Sequence, residues 1–157
     1  MNLFAWLEAT GLAEWVRVST VGYPAMITLH SLGLAIMVGL STVLSLRVTG
    51  AFAAIPFKSL SGLLKVAWIG FIINTISGTA LFTAQAASYV ENTQFLLKIA
   101  LVFVGAILVG WLQSLVNAGS ESWSRSGTAS TTAKAVAILT IVAWTGAMVT
   151  GRLIAYL

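Results

Sequence analysis

The chain of 157 residues contains no cysteine and no aspartate, and it has one histidine, four glutamates and two prolines. Without thiols there are no disulfides, no thiolate metal sites, no iron–sulfur cluster and no C-x-x-C-H attachment of haem. Without aspartate there is no aspartyl-phosphate ATPase and no Ser-His-Asp triad, and one histidine excludes a cage of several imidazoles. Charge is scarce too, at 8% of residues against about 25% in a soluble domain. The eight Lys/Arg that set the net charge of +4 stand singly, with no basic run or aromatic–basic stripe. Nucleic acid is therefore not the expected partner.

What remains is apolar: 59% of the residues are hydrophobic and the mean hydropathy is +0.98. A membrane crossing takes about 20 apolar residues, so four spans and short loops consume nearly the whole chain and leave no soluble catalytic domain. The expected fold is all-α, an integral membrane antiparallel four-helix bundle forming one domain over 1–157. Residues 2–18 read as an amphipathic helix with Trp6, Glu8, Glu14 and Trp15, lacking the basic and long apolar regions of a signal peptide. Such a helix is expected to lie in the headgroup layer. The spans are expected at about 21–46, 60–87, 95–115 and 133–156, with the Ser/Thr/Gly-rich stretch 117–132 as a loop. Asn74, Thr75 and Ser77, halfway along the second span, turn that helix toward its neighbours.

Loop charge sets the expected orientation. Arg47, Lys58, Lys65, Arg125 and Lys134 fall on one side, whereas Arg17, Lys98 and Arg152 fall on the other with Glu8, Glu14 and Glu91. The positive-inside rule then puts both termini on the periplasmic face of a bacterial inner membrane.

His30 stands about eight residues into the first span, roughly 12 Å deep by helical rise. Lys98 and Arg152 share its leaflet, and ionisable groups at such depth are costly unless paired or wet. The cations can snorkel outward and His30 can bond a neighbouring helix, or the three can serve a ligand. Neutral imidazole ligates haem iron and borderline metals. Gly33, Ala35 and Gly39 leave space either for a flat macrocycle or for helix approach through Ala35-x-x-x-Gly39. A haem b on His30, its propionates met by Lys98 and Arg152, accounts for all three groups. Met26, at i−4 on the same face, pairs with His30 as a copper site and leaves the cations without a role; a chain with no cofactor is the remaining alternative. No carboxylate lies within a span to relay protons, and no lysine lies at mid-membrane to hold retinal.

Several short motifs resemble a family of small bacterial four-span membrane proteins, itself distantly similar to the CopD-type copper-resistance domain and to cytochrome b561-like membrane proteins. The W-L-E and W-V-R pieces at 6–8 and 15–17 look like the family's opening, and T-L-H-S-L-G at 28–33 like its first-span histidine motif. Leu46-Arg47 with Gly50 resembles its D-L-R-L-x-G ending, with Ser45 where an acidic residue is usual. Gly78, Phe82, Tyr89, Asn92, Phe95 and Lys98 are similar to its G-x-x-x-F and Y-x-x-N-x-x-F-x-x-K stretch, and Gly151-Arg152 with Ile154-Ala155-Tyr156 to its G-R-x-I-A-Y tail. The family has no established activity. Its wider kinship implies haem b or copper, with His30, Lys98 and Arg152 among its signature positions. Proteins of the b561 type hold each haem between two histidines, so one histidine per chain implies a second subunit, another ligand or an open position. The expected function is a haem b-binding electron-transfer protein or the anchor subunit of a redox complex, in a homo-oligomer or larger membrane complex, rather than an enzyme. A copper-handling protein and a structural accessory subunit are the alternatives.

Overall fold

Backbone groups inside a bilayer have no water to bond, so a chain this apolar closes its hydrogen bonds within helices. The computed structural model describes residues 3–154 and 156, and no strand occurs among them. Three short helices, α1 (Leu3–Glu8), α2 (Gly11–Val18) and α5 (Ala86–Glu91), accompany four long ones, α3 (Gly22–Thr49), α4 (Leu60–Thr83), α6 (Thr93–Ser126) and α7 (Thr131–Leu153). All four long helices are long and apolar enough to cross a membrane. The protein is an all-α bundle with the make-up of a multi-pass membrane protein.

Local chemistry sets the helix ends. Asn92 accepts from the Phe95 amide at 3.0 Å and Ser130 from that of Ala133 at 3.3 Å, starting α6 and α7. Gly50 and Gly127 close α3 and α6 with φ of 120° and 76°, values that side chains disfavour. The hairpins α3–α4 and α6–α7 are joined chiefly by α3 on α7, whereas α4 and α6 touch lightly. Met37, Leu44, Leu64, Leu112, Val136 and Trp144 fill the centre. Ile72, Ile76, Phe103, Ile107 and Val142 face outward, as lipid contact requires.

α3 runs on past the expected 46 to Thr49 and α7 ends at Leu153 rather than 156, and three further boundaries differ more from the sequence expectation. The single helix expected from residue 2, which lies outside the described residues, to 18 is broken, because Thr10 donates to the Leu7 carbonyl at 2.7 Å and caps the Ala13 amide at 3.3 Å. The two pieces form a lid on one end of the bundle, here termed the cap end. There α2 packs Val16 against Ala80 and Ala84, and Glu8 accepts from the Ala87 amide at 2.9 Å. The second span, expected to reach 87, stops at Thr83, and α5 follows. The stretch 117–132, expected as a loop, stays helical to Ser126. Its serines donate to carbonyls one turn back (Ser122 to Gly119 at 2.8 Å, Ser124 to Ser120 at 2.7 Å), which masks their polarity. Trp123 then buries itself edge-on against Phe57 at 5.7 Å, and the Arg47 guanidinium carbon lies over the Phe57 ring, 3.8 Å from its centroid. Arg47 also donates to the Ile55 carbonyl, pinning the α3–α4 linker. Within the closing tail, Ala155 lies outside the described residues.

Candidate functional site

α3 and α4 come into close contact at a pair of glycines, Gly33 and Gly70, with the Ile36 side chain also pressed against Gly70. A Cβ on Gly33 would lie 2.6 Å from the Asn74 nitrogen and 2.7 Å from the Gly70 oxygen, and one on Gly70 would lie 2.9 Å from the Gly33 oxygen. One turn toward the cap end, the His30 Nδ1 lies 3.0 Å from the Asn74 carbonyl oxygen, and the Asn74 side chain donates to the His30 carbonyl at 2.8 Å. Ser77 Oγ sits 3.4 Å from the same Nδ1 and itself donates to the Ile73 carbonyl at 2.7 Å. The ring lies against Gly78, where a Cβ would come within 2.9 Å of Cε1.

This geometry fixes the imidazole chemically. A carbonyl oxygen only accepts, so Nδ1 carries the hydrogen and the neutral ring keeps its lone pair on Nε2. Among the described residues Nε2 has no hydrogen-bond partner.

Lys98 approaches from α6. Its stem passes over Gly151, 3.4 Å from where a Cβ would stand, and its charge is within Coulombic reach of the His30 ring. No carboxylate or hydrogen-bond acceptor engages the ammonium among the described residues. Phe95, one turn earlier on the same face of α6, stacks on Tyr89 at 5.0 Å and on Phe82 at 5.5 Å, tying α4, α5 and α6 together. The Tyr89 phenol is pushed above its ordinary 10.0 by burial and, secondarily, by the neighbouring Tyr23 phenol. The stretch from Gly78 to Lys98, scattered as a motif, thus gathers at one end of the bundle.

The structure therefore brings His30, Gly33 and Lys98 into one neighbourhood, but the glycine's missing side chain is filled by the α4 backbone. Ala35 and Gly39 take no part in the helix crossing; both are exposed on the wall of a groove between α3 and α7. Arg152 lines that groove with Ser31 and Met148, so the cation whose charge is felt at the ring is Lys98. Met26 packs, partly buried, against the Val16, Ala80 and Ala84 cluster. No group of three or more His, Cys, Asp or Glu able to hold a metal occurs among the described residues. Sequence reasoning missed the parts played by Gly70, Asn74 and Gly78. Their signal was present in the spacing i, i+4, i+8, with Ser77 at i+7, which puts small and polar residues on one face of α4.

Compared with protein-family models, curated proteins and solved structures, the chain matches none.

Proposed function

We propose that this protein is a membrane-embedded haem b protein that carries electrons, as a homo-oligomer or as the anchor subunit of a redox complex, with His30 Nε2 as an axial ligand. The supporting observation is the bond between His30 Nδ1 and the Asn74 carbonyl, since metal-ligating histidines characteristically donate their second ring nitrogen to a carbonyl or carboxylate. The residues fit one axial bond: the tautomer is set, Nε2 is unengaged, and the Lys98 ammonium near the ring suits a propionate. Bound haem supplies reversible one-electron chemistry. The chain's own contribution is orientation and exclusion of water. Asn74 holds both the ring and the His30 carbonyl, Gly78 lets the imidazole lie against α4, and the Gly33–Gly70 contact seals the seam beneath. By its loop charges the protein sits in a bacterial inner membrane with both termini in the periplasm.

The reciprocal His30–Asn74 pair also favours a second reading, a structural accessory subunit in which the pair clasps α3 to α4. The absorption spectrum of detergent-purified protein, expressed with its native partners, separates the two. A Soret band that disappears in His30→Ala and persists in Met26→Leu is the expected result. A band that survives His30→Ala removes this residue as ligand, and wild-type protein that never shows one leaves the structural reading, with copper analysis deciding the third alternative.

A further inference from the structure

Toward the cap end, α3 and α7 leave between them a groove of about 400 Å³. Its α3 wall carries Ser31, Ala35 and Gly39 at successive turns, and a Cβ added at Gly39 would meet nothing within 4 Å. From Ser31 to Gly39 the groove runs about 12 Å by helical rise, close to the depth of one leaflet of a roughly 30 Å hydrocarbon core. Arg152 of α7 stands at its shallow end, exposed, its side chain with no ion pair or hydrogen bond among the described residues. The long axis is therefore apolar and one end is cationic.

We propose that this groove binds a glycerophospholipid of net negative headgroup, an acyl chain lying along Ser31, Ala35 and Gly39 and the phosphate on Arg152. The planar guanidinium matches a phosphate through two parallel N–H···O bonds. A zwitterionic headgroup brings its own cation to compete for that phosphate, so the anionic lipid is preferred. A second copy of the chain suits the groove less well, because a two-fold contact through this patch would bring two unpaired Arg152 side chains together.

The test uses the full chain in micelles doped with phosphatidylglycerol or with phosphatidylcholine of identical acyl chains, with retained lipid counted by native mass spectrometry. Wild-type protein is expected to prefer phosphatidylglycerol by about fivefold, the effect of one cation near the membrane surface. Arg152→Gln should abolish the preference, and Ala35→Leu, which fills the groove from an exposed position, should lower retention of both lipids. Helicity by circular dichroism should be unchanged in both variants. Equal retention of the two lipids by wild-type protein, or an undiminished preference in Arg152→Gln, overturns the proposal. So does displacement of the lipid by inorganic phosphate alone, which would mark an anion site without a groove, or a loss of dimers in Ala35→Leu without loss of lipid, which would mark a contact between copies. The His30 proposal is read from the Soret band, so each can fail without the other.

Discussion

At Gly33 a single methyl group tests whether the glycine exists for helix contact. The Cβ of Gly33→Ala would lie 2.6 Å from the Asn74 nitrogen and 2.7 Å from the Gly70 oxygen, and both are backbone atoms that no rotamer change can remove. Restoring an ordinary contact of 3.4 Å from 2.6 Å requires α3 and α4 to part by about 0.8 Å. If they part rigidly, the His30–Asn74 bonds of 3.0 and 2.8 Å lengthen to about 3.8 and 3.6 Å, beyond useful hydrogen-bond range. Overpacking costs about 1–3 kcal/mol and each interhelical polar bond in a membrane about 0.6 kcal/mol, so the expected loss is about 2–4 kcal/mol. Unfolding by SDS in mixed micelles, followed by far-ultraviolet circular dichroism, measures it. Gly39→Ala is the control: it gains the same helix propensity, and its new methyl meets nothing within 4 Å. A Gly33→Ala protein as stable as Gly39→Ala would refute the close-contact account.

Tyr89 is held neutral above its ordinary 10.0, so the folded chain keeps a proton that the unfolded chain releases. Its contribution to stability is intact below about pH 9 and is lost as the pH rises past 10 toward the folded value; Tyr89→Phe should flatten that alkaline decline in a thermal melt series. Lys58 and Glu121 pair at 3.6 Å while 66% and 80% exposed, so Lys58→Ala should change stability by less than about 1 kcal/mol in the same SDS titration. At Gly119 a side chain would run into the Trp123 indole. Gly119→Val is therefore expected to swing that ring off Phe57, at a cost of about 1–3 kcal/mol and with faster proteolysis of residues 117–126.

The four crossings were legible because lipid demands long apolar helices and hydropathy reports length and polarity directly. Their ends were less so. Ser120, Ser122 and Ser124 look like loop residues by composition, yet a serine that bonds a carbonyl one turn back is compatible with a helix, and Trp123 gives this one a surface to pack on. Thr10 breaks the first amphipathic stretch through its own hydroxyl, whereas hydrophobic periodicity continues across it. His30 stood out as the lone titratable group in an apolar span. Its partner Asn74 did not, since a pairing 44 residues apart depends on the register between two helices. Gly33 was noticed as an absence of bulk, but only the fold reveals that Gly70 occupies the space.

Polar accounting at the cap end gives the strongest physical ground for seeking a ligand there. In hydrocarbon, every donor and acceptor left without a partner costs free energy. The α3–α4 seam uses His30 Nδ1, the His30 carbonyl, the Asn74 amide and Ser77 Oγ among themselves. Gln94 Oε1, buried on α6, has no partner among the described residues, and two ionisable groups beside the seam are also unmatched there: the lone pair of His30 Nε2 and the ammonium of Lys98, close enough to feel one another's charge. A clasp role for His30 satisfies neither, because it uses only the nitrogen already bonded. Outward snorkelling satisfies Lys98 alone. A ligand that joins a Lewis-acidic metal to a carboxylate satisfies both groups in one event, and haem b with its propionates is such a ligand. Copper without an accompanying anion would engage the imidazole and add positive charge near the lysine, which Coulomb repulsion disfavours in a low-dielectric interior.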